Sequence, residues 1–122
     1  MMNKYLLTIE NRGKNLKFEA QNAVFSKAVS PIRGRESGLA SLMITKEANN
    51  RASGELVLIA THLIPIRKIT IGIEQSAGQA RSTRNFATVF DALLTDIGMN
   101  QIEGKNRETL IFEFDPRSVN FG

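Results

Sequence analysis

Ser82 to Gly98, STRNFATVFDALLTDIG, is the stretch whose reading decides the fold. Phe86, Val89, Phe90, Leu93, Leu94 and Ile97 fall at i, i+3, i+4, i+7, i+8 and i+11. That spacing predicts one apolar stripe on an amphipathic helix over 83–97. Ser82 suits an N-cap, because its hydroxyl accepts from an orphan N–H of the first turn. Gly98 suits the left-handed residue that ends a helix. Arg84, Asn85, Thr88, Asp91 and Thr95 fall on the opposite, polar face.

Working outward, nearly everything before this stretch reads as strand. Tyr5–Asn11 and Leu16–Ala20 flank the turn Arg12-Gly13-Lys14-Asn15, so 5–20 reads as an N-terminal hairpin. Ala23–Val29 reads as a third short strand or an irregular edge. Ser30–Gly38, with Pro31, Gly34 and Gly38, reads as a loop. The central sheet spans 39–75. Leu39–Glu47 is a strand, Ala48–Gly54 a polar turn, and Glu55–Ile64 a long strand stopped by Pro65. Lys68–Gln75 alternates cleanly, with Ile69, Ile71 and Ile73 on one face, as a half-open antiparallel sheet requires. Thr109–Phe114 reads as a C-terminal strand, followed by an irregular tail.

The expected architecture is therefore α+β: an antiparallel β-sheet of five to six strands, an N-terminal hairpin, and one amphipathic helix packed on a face. All 122 residues read as a single domain. Such a sheet is roughly 25 Å wide, whereas a helix with its side chains is about 10 Å across. One helix leaves apolar sheet wet. A second helix from a second copy repairs this, so the fold is expected to be completed by dimerisation.

Composition narrows the function. The chain holds no cysteine and one histidine, His62, which excludes disulfides, thiol nucleophiles and a histidine or cysteine metal cluster. No metal and no cofactor is expected. No apolar run approaches the roughly 20 residues of a membrane span, so no membrane partner is expected. The start MMNKYLLTIENR does not read as a signal peptide, and the protein is expected to be made and kept in a reducing cytoplasm. No phosphate-binding glycine loop or Ser-His-Asp arrangement is legible. Asp91 and Asp96 lie five apart on the expected helix, and Glu47 and Glu55 flank a turn. The chain is not read as an enzyme.

Charge points to a polyanion. The net charge is +4. Residues 1–52 carry nine Lys/Arg against four Glu, while residues 53–122 carry seven against eight Asp/Glu. A basic half and an open face bearing Ser41, Thr45, Glu47, Thr61, Lys68, Thr70 and Glu74 suit single-stranded RNA. The aromatic platform of common RNA readers is missing, because Tyr5 is the one tyrosine and there is no tryptophan.

The hairpin YLLTIENRGKNLKFEA, the strand pair SLMITKEANNRASGELVLIATHLIP, and the strand and helix RKITIGIEQSAGQARSTRNFATVFDALLTDIG follow one another in an order that resembles the coat proteins of single-stranded RNA bacteriophages, the leviviruses. The resemblance implies a viral capsid protein. Its homodimer would build an icosahedral shell and line it with an RNA-binding sheet face, assembled in the bacterial host cytoplasm and located in the virion. By position it implies RNA contacts from Thr45, Lys46, Arg51, Thr61, Lys68 and Thr70, and contacts between dimers from Arg33–Ser37 and Ser76–Arg81. The alternatives are a small dimeric nucleic-acid-binding regulatory protein and a phage structural adaptor without RNA contact.

Overall fold

The computed structural model describes residues 4–11, 13–29, 36–48, 50–77 and 80–121. Among the described residues, eight strands and one helix follow in the order β1 (Lys4–Asn11), β2 (Lys14–Ala20), β3 (Asn22–Val29), β4 (Glu36–Glu47), α1 (Asn50–Thr61), β5 (Ile66–Ala77), β6 (Ala80–Ile102), β7 (Lys105–Phe114) and β8 (Val119–Phe121), with a 3-10 turn at Pro116–Ser118. All the strands belong to one antiparallel sheet of order β2-β1-β5-β6-β7-β4-β3, with β8 added along β6.

The expected α+β dimer of five to six strands is replaced by a curled eight-stranded sheet with one helix. The two central assignments are exchanged. The stretch 83–97, expected to be helix, lies inside β6, and Asn50–Thr61, expected to be turn and strand, is the helix.

β6 explains the first exchange. Its 23 residues would reach about 75 Å if straight, twice the roughly 35 Å diameter of a compact chain this long. It must bend. Its first half pairs with β5 and its second half with β7. The register passes from Ile71↔Ala87 to Gly72↔Asn85, leaving Phe86 as an extra residue, and from Leu94↔Phe112 to Asp96↔Ile111, leaving Thr95 extra. Between them Asp91 takes φ 55°, a left-handed conformation that a short polar side chain tolerates. Each interruption slips the inside–outside phase by one residue. The inward residues are thus Ala87, Val89, Ala92, Leu94 and Ile97, at spacings 2, 3, 2 and 3. Phe90 and Leu93, which completed the apparent helical stripe, point outward at 36% and 39% exposure.

α1 has the reverse signature. Ala52, Leu56, Ile59 and Ala60 sit at i, i+4, i+7 and i+8 and face the core, while Val57 and Leu58 are exposed. The run Leu56-Val57-Leu58-Ile59 is apolar throughout, and such runs look alike in a buried strand and a buried helix. Gly54 inside the helix costs about 1 kcal/mol against alanine; burial of Leu56 outweighs that at about 1.5–3 kcal/mol. Leu63 ends the helix with φ 47°. Its N–H donates to Ala60 O at 3.2 Å, and the Ile64 N–H donates to Ile59 O at 3.0 Å, which is a Schellman closure.

The sheet curls until its ends approach, β2 against β4 and β1 against β3. The Gln21 N–H donates to Thr45 O at 2.8 Å across the join. Inside, Leu7, Ile9, Leu42, Ile44, Ile69, Ile71, Val89, Leu94, Leu110 and Phe112 form one core. α1 plugs the end where β4 stops and β7 starts. The opposite end is closed by aromatic rings: Phe25 lies 5.0 Å from Phe121, 6.0 Å from Phe114 and 6.2 Å from Phe86, and Tyr5 lies 6.1 Å from Phe86. The dimer argument fails here, because the sheet covers its own apolar face by curling.

The tail expected to be irregular is ordered. Asp115 caps the 3-10 turn by accepting from the Arg117 N–H at 2.9 Å, and the Arg117 guanidinium bonds both its oxygens. The turn feeds β8 onto β6 at Ala87–Val89. Part of the expected loop Ser30–Gly38 begins β4 at Glu36; residues 30–35 lie outside the described residues, as do 78 and 79 of the Ser76–Arg81 segment.

Two outcomes follow from this packing. Leu56→Ala is expected to cost about 2–5 kcal/mol and Leu58→Ala within about 0.5 kcal/mol, measured by urea unfolding. A strand over 55–64 would bury both side chains alike. Separately, the Arg117 side chain, then its backbone N–H, holds the Asp115 carboxyl down from 3.8 to about 2. The folded-state value is depressed, so the contribution of this cap is present above pH about 4 and lost as pH falls through about 2. The carboxyl carbon shift of Asp115, followed by NMR, is expected to titrate near that value.

Candidate functional site

Alternation along β4 turns Leu42, Ile44 and Lys46 inward, and alternation along β7 turns Glu108, Leu110, Phe112 and Phe114 inward. Lys46 and Glu108 are direct cross-strand partners. They meet under the first half of α1, Lys46 only 1% exposed and Glu108 nearly as buried. Lys46 Nζ donates to Glu108 Oε2 at 3.0 Å, to the Glu47 carbonyl at 2.9 Å and to Ser53 Oγ at 3.5 Å. The Ser53 hydroxyl donates to Glu108 Oε1. The ammonium also lies 5.7 Å from the centre of the Phe18 ring. All three ammonium protons and both carboxylate oxygens are therefore engaged, and β2, β4, β7 and α1 meet at one point. A nearby pair, Arg107 Nη1 and Glu47 Oε1 at 3.9 Å, is more open to water.

The arrangement is a latch. The cation and the carboxylate neutralise each other, and a protein helix covers them. Among the described residues no group of three His, Cys, Asp or Glu is placed to hold a metal. His62 is exposed at the end of α1, not within a strand.

The six residues expected to contact RNA do not share a face. Thr45 and Lys46 are consecutive on a strand and so point to opposite sides; Thr45 faces out and Lys46 is buried in the latch. Lys68 and Thr70 lie on the outer face of β5, where Lys68 pairs with Glu10 at 3.8 Å and Thr70 stands between Thr8 and Thr88. β5 and β4 are three strands apart in the sheet order, about 14 Å. Thr61 is exposed at the last residue of α1. Arg51 is in its first turn, and its side chain lies outside the described residues. The Arg33–Ser37 contact falls on residues 33–35, outside the described residues, and on the start of β4. Glu108 was missed. Its signal was its phase with Leu110, Phe112 and Phe114, matching that of Lys46 with Leu42 and Ile44.

No protein-family model matches the sequence, and no curated protein matches it. The fold does have close counterparts among solved structures, and they define the class: an Hcp fold. The secreted protein Hcp3 from Pseudomonas aeruginosa superposes with a TM-score of 0.66 at 14% identity, over 98% of this chain and 97% of that one. The Hcp1 protein of the E. coli EAEC 042 pathovar gives 0.66 at 9% identity, over 99% of both chains. A type VI secretion system effector from Yersinia pestis gives 0.57 at 17% identity, over 90% of this chain and 83% of that one.

These neighbours overturn the resemblance to RNA phage coat proteins. With it fall the capsid function, both of its alternatives, the virion location with assembly in a host cytoplasm, the single-stranded RNA partner, and the homodimer building a shell. The shared features were an opening hairpin and a run of antiparallel strands, which many sheets possess. The feature that singled out the coat family was a helix after the last long strand, and that segment is β6.

The latch generates its own test. Glu108→Leu alone strands a buried ammonium and is expected to cost about 3–5 kcal/mol. Lys46→Met with Glu108→Leu removes both charges and is expected to recover most of that loss. Urea unfolding of the two single variants and the double variant measures the coupling.

Proposed function

We propose that this chain is a structural, secreted component of a type VI secretion-type system, and that its copies associate into rings that stack as a tube. The observation that carries this reading is the reciprocal, near full-length match to Hcp folds, 98% and 97% of the two chains with Hcp3. A curled sheet plugged at one end by α1 and at the other by aromatic rings is a compact building block whose core, among the described residues, is filled by its own side chains. Its surface nonetheless carries large apolar groups, including Val57, Leu58, Leu63, Phe90, Leu93, Met99 and Phe121. Exposed apolar side chains clustered in patches suit contacts between protein copies. We read the chain as non-catalytic: its one buried titratable pair among the described residues, Lys46 with Glu108, is self-neutralising and covered.

The purified chain is expected to sediment as an integral multiple of its 13.5 kDa mass, and electron microscopy is expected to show annular particles of uniform diameter. A protein that stays monomeric at every concentration tested sinks the reading.

A further inference from the structure

We propose that successive copies of this chain join head to tail, the outward Phe90–Leu93 bend of β6 on one copy seating in the lysine-rimmed groove beside α1 on the next. This rests on the ring-forming reading above and names the two surfaces that would make the contact.

The groove lies between the β1–β2 hairpin and α1. Its volume is about 680 Å³, and its apolar floor includes Leu16, Leu58, Ile59 and Ile64. That size falls within the roughly 300–1,000 Å³ of clefts that bury bulky groups. Lys14 and Lys17 stand on its hairpin wall, exposed and with no ion-pair partner among the described residues. Glu55 stands on the α1 wall, so the groove is net positive.

The ridge has the opposite character. Phe90 and Leu93 project from β6 on either side of Asp91, whose positive φ marks the bend. Asp96 lies further along the outer face, and Glu113 is the cross-strand partner of Leu93. Asp91, Asp96 and Glu113 have no ion-pair partner among the described residues. Lys68, opposite Phe90, is held by Glu10. Arg67 falls opposite Asp91 in the register, so the ridge sets two large apolar groups among three carboxylates and one arginine, net negative, against an apolar groove that Lys14, Lys17 and Glu55 leave net positive.

The second copy is the occupant because both halves of the complementarity are on this chain. No residue of β6 or β7 lines the groove, so groove and ridge are separate patches. One copy can fill its groove with a second copy's ridge and still offer its own. Such heterologous contacts propagate, and they close into a ring when the rotation between copies allows it. Apolar burial would hold the contact, while the charges select its register and partner.

The test uses two variants of the full chain. K14E/K17E reverses the groove, and D96K/E113K reverses the ridge. All four positions are on the surface, and circular dichroism is expected to show both variants folded. Each variant alone is expected to assemble at least about tenfold more weakly than the wild type in sedimentation, because each contact now opposes like charges. Mixed in equal amounts they are expected to regain wild-type assembly, since every groove then finds a complementary ridge in an alternating ring. Damage to folding would not be repaired by mixing. If the wild type forms rings while either variant assembles as well as it, or the mixture fails to recover, the interface is elsewhere and the ring reading stands. If the wild type forms no assembly, both fall.

Discussion

One strand has to serve two half-sheets, and the rest of the structure depends on how it manages this. β6 pairs with β5 up to Ala92 and with β7 from Leu93. Interior packing therefore has to turn a corner without losing the apolar side of the strand. The extra residues at Phe86 and Thr95 and the left-handed Asp91 supply the bend, each at the cost of a ladder position. The return is a sheet whose first and last strands come together, so that Leu7 and Ile9 on one half share a core with Leu42 and Ile44 on the other.

Curling leaves two open ends, and the chain closes them by different means. Five aromatic rings and the short strand β8 cover one end. Ring pairs in edge-to-face contact add about 0.5–1.5 kcal/mol each beyond the area they bury. The other end receives α1, and here the closure includes a buried ion pair. Burying two charges costs several kcal/mol per ion before pairing, so such a pair contributes little net stability even when fully bonded. Its effect is positional. Ser53 is where α1 touches both Lys46 and Glu108, so a helix slid by one turn leaves a buried carboxylate short of a donor. The latch therefore fixes where the helix sits, while Leu56 and Ala52 supply the adhesion.

Closure inward also shapes the outside. The first half-sheet presents Lys4 with Glu19 and Glu10 with Lys68, pairs that satisfy one another at the surface. The end plugged by α1 and the bend of β6 instead expose Leu58, Leu63, Phe90 and Leu93. A closed sheet that keeps these groups outside leaves apolar side chains at defined places on its surface, which suits the association between copies proposed above.

The sequence by itself determined the local pieces whose signals are short-range. The Gly13 turn between two alternating strands marks the β1–β2 hairpin, and Gly13 takes φ 82° there. The alternation of Ile69, Ile71 and Ile73 marks β5, and that of Leu110, Phe112 and Phe114 marks the end of β7. The apolar residues two positions from Lys46 and Glu108 carry the signal of their inward phase, although the reading of Lys46 as an RNA contact overlooks it. What only the tertiary structure decided was the identity of the two longest apolar segments. In β6 the phase slips turn a period of two into spacings of 2 and 3, which imitate a helical stripe. They exist because a strand this long must bend to fit its own fold, a requirement that no window of local sequence contains. In α1 the apolar run is compatible with either state. The choice fell to the open end of the curled sheet, which a helix can plug and a further strand cannot.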